Sequence, residues 1–234
     1  MRKLVSGMMV LWLFSTAGAQ DFGLVAGFGL AASAMDDMKY YQEYILEAYP
    51  VEGKVISSFP AYSTFTISGV KQLLPVVQIG VGYAYTTTGG RTNYTDYSGN
   101  ITTEILAASH RLGAWVSYSV LNGERYNLSV FGRVDANITR IKVTTSRYAL
   151  GYSDAWSYEL GSVSPAGTAG LEFFLHFNDF SIRVDGGYMV DIPGNLTNRD
   201  DDKEFSDPAD PQRNLTSDWS GWRAQLKGMI WFGN

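Results

Sequence analysis

Two histidines, His110 and His176, are the side chains best suited to move a proton near neutral pH in this 234-residue chain, which has no cysteine. General-base catalysis needs such an imidazole oriented by a carboxylate and set beside a nucleophile. No G-x-S-x-G or comparable nucleophile motif stands near either histidine. The strand assignment below puts His110 near one end of its strand and His176 against a tight turn at the other, so they do not share a site. Without cysteine, thiol chemistry, disulfides and cysteine-based metal sites are excluded. Asp200, Asp202 and Glu204 alternate in "NRDDDKEFSDPADPQRN" (198–214), as calcium ligands sometimes do, but the turn glycine of an EF-hand is absent. This stretch reads as a solvated, charge-rich loop. No cofactor is implied, and the absence of a catalytic constellation argues against an enzyme.

The charges with the most regular placement lie elsewhere. In "YNLSVFGRVDANITR" (126–140), Val130 and Val134 alternate with Phe131, Arg133 and Asp135. A period of two is a β-strand with unlike faces. Arg111, Glu172, Arg183, Asp185, Arg223, Gln225 and Lys227 fall opposite apolar faces in the same way. On a closed eight-stranded barrel whose interior is just wide enough for side chains to fill, these cations and anions can pair inside. The chemistry they suit is mutual neutralisation.

The elements that would hold them are strands near 22–33, 61–70, 76–88, 101–120, 126–146, 160–176, 180–192 and 219–232. The clearest apolar faces are Val77 to Tyr85, Leu112 to Val120, Ala169 to Leu175, Phe180 to Ile192 and Trp222 to Phe232, each at alternate positions. Short connections at 70–74, 121–125 and 176–179 alternate strictly with long ones at 34–60, 89–100, 147–159 and 193–218. With antiparallel neighbours, all long connections lie at one end and all tight turns at the other. Membrane barrels sort their loops this way, and they hide apolar residues from a hydropathy window. No run after residue 19 is long and apolar enough for a helical span.

Residues 1–19 read as a cleaved secretory signal: Arg2 and Lys3, an apolar run over Leu4 to Phe14, then "STAGA". The mature chain, 20–234, is then a single domain. Without Arg2 and Lys3, sixteen basic residues face twenty-three acidic ones, a net charge near −7. With no basic stripe, nucleic acid is not expected as a partner.

Signal segment, eight amphipathic strands, sorted loops and an aromatic last strand together resemble the small outer-membrane β-barrels of the OmpA/OmpX type. The resemblance covers the mature chain and rests on architecture. It implies an all-β fold, an antiparallel eight-stranded up-and-down transmembrane barrel with one short loop helix, in the outer membrane of a Gram-negative bacterium. It also implies a closed lumen, long external loops, a lipid surround, and a structural or surface-interaction role whose external partner the sequence does not name. "QLKGMIWFGN" is similar to the C-terminal strand that the barrel-assembly machinery reads, which would involve Trp222, Leu226, Gly228, Ile230 and Phe232. The chain departs from the pattern by ending in Gly233-Asn234.

The one helical stretch is 33–49, with Ser33 and Asp36 in capping-box spacing, a face of Met38, Tyr41, Ile45 and Ala48, and Pro50 as a stop. Its polar face is acidic, so it is expected to pack over the barrel mouth instead of lying on a membrane surface. Two alternatives stay open. A soluble secreted barrel of lipocalin type would bind a small apolar ligand and invert every strand, turning Val130 and Val134 inward and Arg133 and Asp135 outward. A membrane-barrel enzyme would use His110 or His176 as base.

Overall fold

The computed structural model describes residues 22–47, 54–97, 99–149, 151–177 and 180–232. The expected signal segment lies outside them, as do Pro50, Gly233 and Asn234. The long strands are β1 (Phe22–Ala31), β3 (Tyr62–Leu74), β4 (Val77–Asp96), β5 (Gly99–Asn122), β6 (Tyr126–Ala149), β7 (Tyr152–Phe177), β8 (Phe180–Asp191) and β12 (Gly221–Phe232). Short strands β2 (Lys54–Ser58), β9 (Gly194–Asn195), β10 (Thr197–Asn198) and β11 (Thr216–Ser217) and one helix, α1 (Asp36–Glu47), complete the order.

The eight long strands close in the order β1-β3-β4-β5-β6-β7-β8-β12, all neighbours antiparallel, and β12 pairs back onto β1 from Phe22↔Phe232 to Ala31↔Arg223. Closure gives each strand two paired neighbours around the ring, the condition for β-structure in hydrocarbon, while projecting residues 152–158 of β7 pair with β6 alone. Tight connections lie at one end, the turn end. Helix α1, the irregular segment 192–220 and two projecting hairpins lie at the other, the capped end.

Two of the expected long loops are corrected. Residues 89–96 and 99–100, and 147–149 and 152–159, are strand, since β4 and β5 stay paired out to Asp96↔Gly99, and β6 and β7 out to Ala149↔Tyr152. Likewise, all of 70–74 belongs to β3, and the turn is Pro75-Val76. The expected strands stop short because apolar alternation marks where one face meets an apolar solvent. Beyond that zone "GGRTNYTD" (89–96) keeps its pairing without the pattern. Strands β5, β6 and β7 have 24, 24 and 26 residues, where about 9–11 suffice to cross a bilayer.

The strand faces are decisive. Val134 is 68% exposed on the outer wall while its neighbour Asp135 is 6% exposed inside. Leu112, Val163, Leu171, Val184, Leu226 and Ile230 face outward in the same way. The lipocalin-type inversion is therefore not the arrangement this chain adopts. The outer apolar wall gives way to exposed Arg140 and Lys142 towards the capped end.

Inside, the filling is layered, which differs from the uniformly polar lumen the sequence suggests. Val25, Val70, Trp115, Phe174 and Met229 form an apolar base near the turn end. A charged layer follows. Above it Met35, Met38, Phe59, Ile105, Ile141, Leu160, Met189, Leu196, Leu215 and Trp219 build an apolar cap, contributed by the upper strands, α1 and the 192–220 segment. Met35 and Phe59 hold φ of 48° and 46°, a disfavoured conformation for such side chains, and both are buried in this cap.

Helix α1 begins at Asp36 and packs over the mouth. Ser33 does not cap it, since Met35 turns left-handed just before the first helical residue and the Ser33 hydroxyl has no hydrogen-bond partner among the described residues. Its buried residues are Met38 and Gln42. The Gln42 amide donates to the Ser57 carbonyl at 2.7 Å. Asp37 ties the helix to the loop by accepting from the Thr216 backbone N–H at 2.9 Å and its hydroxyl at 2.7 Å, and by pairing with Arg213.

Candidate functional site

The charged layer of the lumen is the candidate site. Period-two alternation on β5, β6, β7, β8 and β12 aims Arg111, Arg133, Asp135, Glu172, Arg183, Asp185, Arg223 and Lys227 inward from five strands. Two lumen-facing glycines make room for large groups. A Cβ on Gly80 would lie 2.4 Å from the Trp115 ring, and one on Gly113 would lie 2.3 Å from Asp135 Oδ1.

Three ion-paired groups result. Arg133 Nε donates to both carboxylate oxygens of Asp135 at 2.7 and 2.8 Å. Arg183 pairs with Glu172, lies 4.0 Å from Asp185, and stacks over Trp115 (4.7 Å) and Phe174 (5.0 Å). Glu172 also accepts from Ser117 Oγ at 2.9 Å. Lys227 reaches Asp185 at 2.5 Å. Arg111 and Arg223 stand apart. The Arg111 guanidinium meets Met189 Sδ at 3.1 Å and Thr86 Oγ1 at 3.5 Å, and Arg223 donates to the Trp219 carbonyl at 2.9 Å.

A polar collar joins the charged layer to the cap. Asp191 accepts from Ser164 Oγ at 2.7 Å, Asn137 Nδ2 at 3.1 Å and the Trp219 backbone N–H at 3.2 Å. Trp219, fully buried, donates its indole N–H to Thr139 Oγ1 at 2.8 Å. Outside the membrane-crossing zone, Tyr158 meets Tyr41 hydroxyl to hydroxyl at 2.5 Å, and burial with that neighbour pushes its phenol up. Sequence reasoning missed Asp191, although its parity with Arg183 and Asp185 could have revealed it. Trp219 and Asn137 were also missed, although Trp219 shares the parity of inward Arg223, Gln225 and Lys227 at the start of the expected strand 219–232.

The two histidines are separated. His110 faces outward and shares a 2.7 Å hydrogen bond with the Tyr83 hydroxyl, and His176 contacts buried Ser181 at 2.9 Å near the turn end. In the 198–214 loop, Glu204 accepts from Asn195 and Asn214, and Lys203 pairs with Asp201. No group of three or more His, Asp or Glu side chains suited to a metal occurs among the described residues. Last-strand residues Trp222, Leu226, Ile230 and Phe232 face outward, and Gly228 lies among them in register with Ala26 and Ile182.

A closed ring that exposes Val, Leu and Phe and buries arginine with carboxylate defines the class. It is an eight-stranded transmembrane β-barrel of the outer-membrane type. Among solved structures, this fold is similar to Ail, the attachment invasion locus protein of Yersinia pestis, at 14% identity and a TM-score of 0.43, over 92% of this chain and 100% of that one. It is also similar to Neisserial surface protein A, at 12% identity and 0.38, over 92% and 100%. A third likeness is to the outer membrane protease OmpT from Escherichia coli, at 10% identity and 0.38, over 94% and 99%. No family model and no curated protein matches the sequence.

Proposed function

We propose that this chain is an integral outer-membrane barrel of a Gram-negative bacterium, closed to solute flow, whose role is structural or one of surface interaction. It acts neither as a pore nor as an enzyme. What supports this reading is the packing of side chains inside the barrel, an apolar base, a mostly ion-paired charged layer and an apolar cap. The capped end faces outward in the cell, and its projecting β4–β5 and β6–β7 hairpins, with exposed Tyr97, Tyr152 and Trp156, supply the contact surface. The tight turns face the periplasm. Strand β12, through Trp222, Leu226, Gly228, Ile230 and Phe232, is the segment read by the barrel-assembly machinery.

The decisive experiment is electrical. Purified protein in planar bilayers should give no steady conductance, and a stable nanosiemens-scale channel from the intact barrel would refute the closed lumen. In cells, the protein should float with outer membranes and migrate faster on gels before heating than after. Recovery in the aqueous fraction without detergent would sink the membrane reading.

The strand faces give a sharper test of placement. Val134→Arg sets a cation in hydrocarbon and should cost about 2–4 kcal/mol near the midplane. A spin label at 134 should be relaxed by lipid-soluble oxygen, whereas one at 133 should be shielded from it. Free access of a polar relaxation agent to 133, with 134 protected from both agents, would reverse inside and outside.

A further inference from the structure

We propose that the lumen holds one buried monovalent anion of halide size between Arg111 and Arg223. Both guanidiniums are buried, at 2% and 6% exposure, and neither makes an ion pair among the described residues. A buried cation without a counter-charge is strongly disfavoured, so its charge must be met by something. Asp135 and Asp191 act on both guanidiniums only from beyond ion-pair distance, and each lumen carboxylate has nearer partners. Asp135 serves Arg133, Glu172 serves Arg183, Asp185 serves Lys227 and Arg183, and Asp191 is taken up by Ser164, Asn137 and the Trp219 N–H. Five cations (Arg111, Arg133, Arg183, Arg223, Lys227) thus face four carboxylates, and one negative charge is missing.

The space and the donors for it coincide. A cavity of about 30 Å³ is lined by Arg111 and Arg223 together with Thr66, Thr168 and Gln225, and equally by Arg133, Lys227 and one carboxylate, Asp185. Arg111 Nε, Arg223 Nε and Nη1, Thr66 Oγ1 and Thr168 Oγ1 are buried atoms without a hydrogen-bond partner among the described residues. All five belong to residues of that cavity wall and can donate a hydrogen bond; the same wall carries one such acceptor, Asp185 Oδ2, which the Lys227 ammonium faces at 2.5 Å. One water needs about 10–15 Å³ of such space, so this cavity has room for a single ion somewhat larger than water. Water could satisfy these donors, but it would leave two like charges facing each other across one small cavity. A halide satisfies the donors and the charge together. This inference is independent of any role for the projecting hairpins.

The test uses bromide, which scatters anomalously. The mature chain is refolded from urea into detergent with sodium bromide as the sole halide, then crystallised. The expected result is one bromide peak in contact with Arg111, Arg223, Thr66 and Thr168, retained after washing in halide-free buffer. Thr66→Val should weaken the peak, and Arg223→Gln should abolish it. If Arg223→Gln fails to fold, the unmodified protein decides the matter alone. A lumen density without anomalous signal, or bromide confined to the outer surface, overturns the proposal.

Discussion

Glu172→Ala should destabilise the barrel by about 3–5 kcal/mol, read as a lowered urea midpoint for the protein refolded into lipid vesicles. Glu172 is fully buried, pairs with Arg183 and accepts from Ser117. Removing it strands a guanidinium that is itself buried and flanked by Trp115 and Phe174, with only the more distant Asp185 carboxylate at 4.0 Å to compensate. The cost comes from the orphaned charge, not from the worth of the pair. The double variant Glu172→Met/Arg183→Met should therefore recover most of the loss, because an apolar pair of similar volume removes both desolvation penalties. If the double variant is as unstable as the single one, packing volume is the cause and the charge argument fails.

Trp219→Ala should cost a similar amount, about 3–5 kcal/mol, by emptying the centre of the apolar cap. The side chain is fully buried and touches a cluster drawn from α1, the upper strands and the 192–220 segment. Its loss also leaves Thr139 Oγ1 without the indole donor. The strand pairing below does not depend on it, so the barrel should still form. The measurable signature is early loss of hydrogen-exchange protection in α1 and 192–220, followed by global unfolding at lower urea. Trp219→Phe, which keeps most of the apolar volume, should restore most of the stability. Uniform loss of protection across all strands would mean that the cap and barrel are one cooperative unit.

Much of the barrel was legible because lipid imposes a rule on alternate residues. Val134 beside Asp135, and Leu226 beside Lys227, announce a strand and its two faces together. The same rule explains what was not legible. Where β4 to β7 rise past Arg140 and Lys142, both faces meet water or the cap, and residues such as Thr92, Asn93 and Tyr94 carry no alternation to read. The inward charges could be assigned from parity, but their partners could not. Register between strands decides that Arg183 meets Glu172 from β7, and register is set by turns whose geometry the sequence leaves open. The cap was least visible. Leu196 and Leu215 are isolated apolar residues in a charged segment, and Gln42 is a polar residue in a buried place. Only the tertiary fold gives them a common neighbourhood.

The junction between β1 and β12 has a consequence in time. It joins positions 22 and 232, whereas the other junctions of the ring join strands that follow one another in ring order along the chain. Hairpins such as β5–β6 can zip from their own turns, but this junction must bring the two ends of the fold together and comes last on entropic grounds. Until it forms, two rows of backbone N–H and C=O groups have no partner, and hydrocarbon offers them none. A chain arrested before residue 221 would thus have no tolerable way to sit in a bilayer. Entry into the membrane and completion of the circle are thereby coupled, because an unfinished ring leaves two open edges that hydrocarbon cannot satisfy.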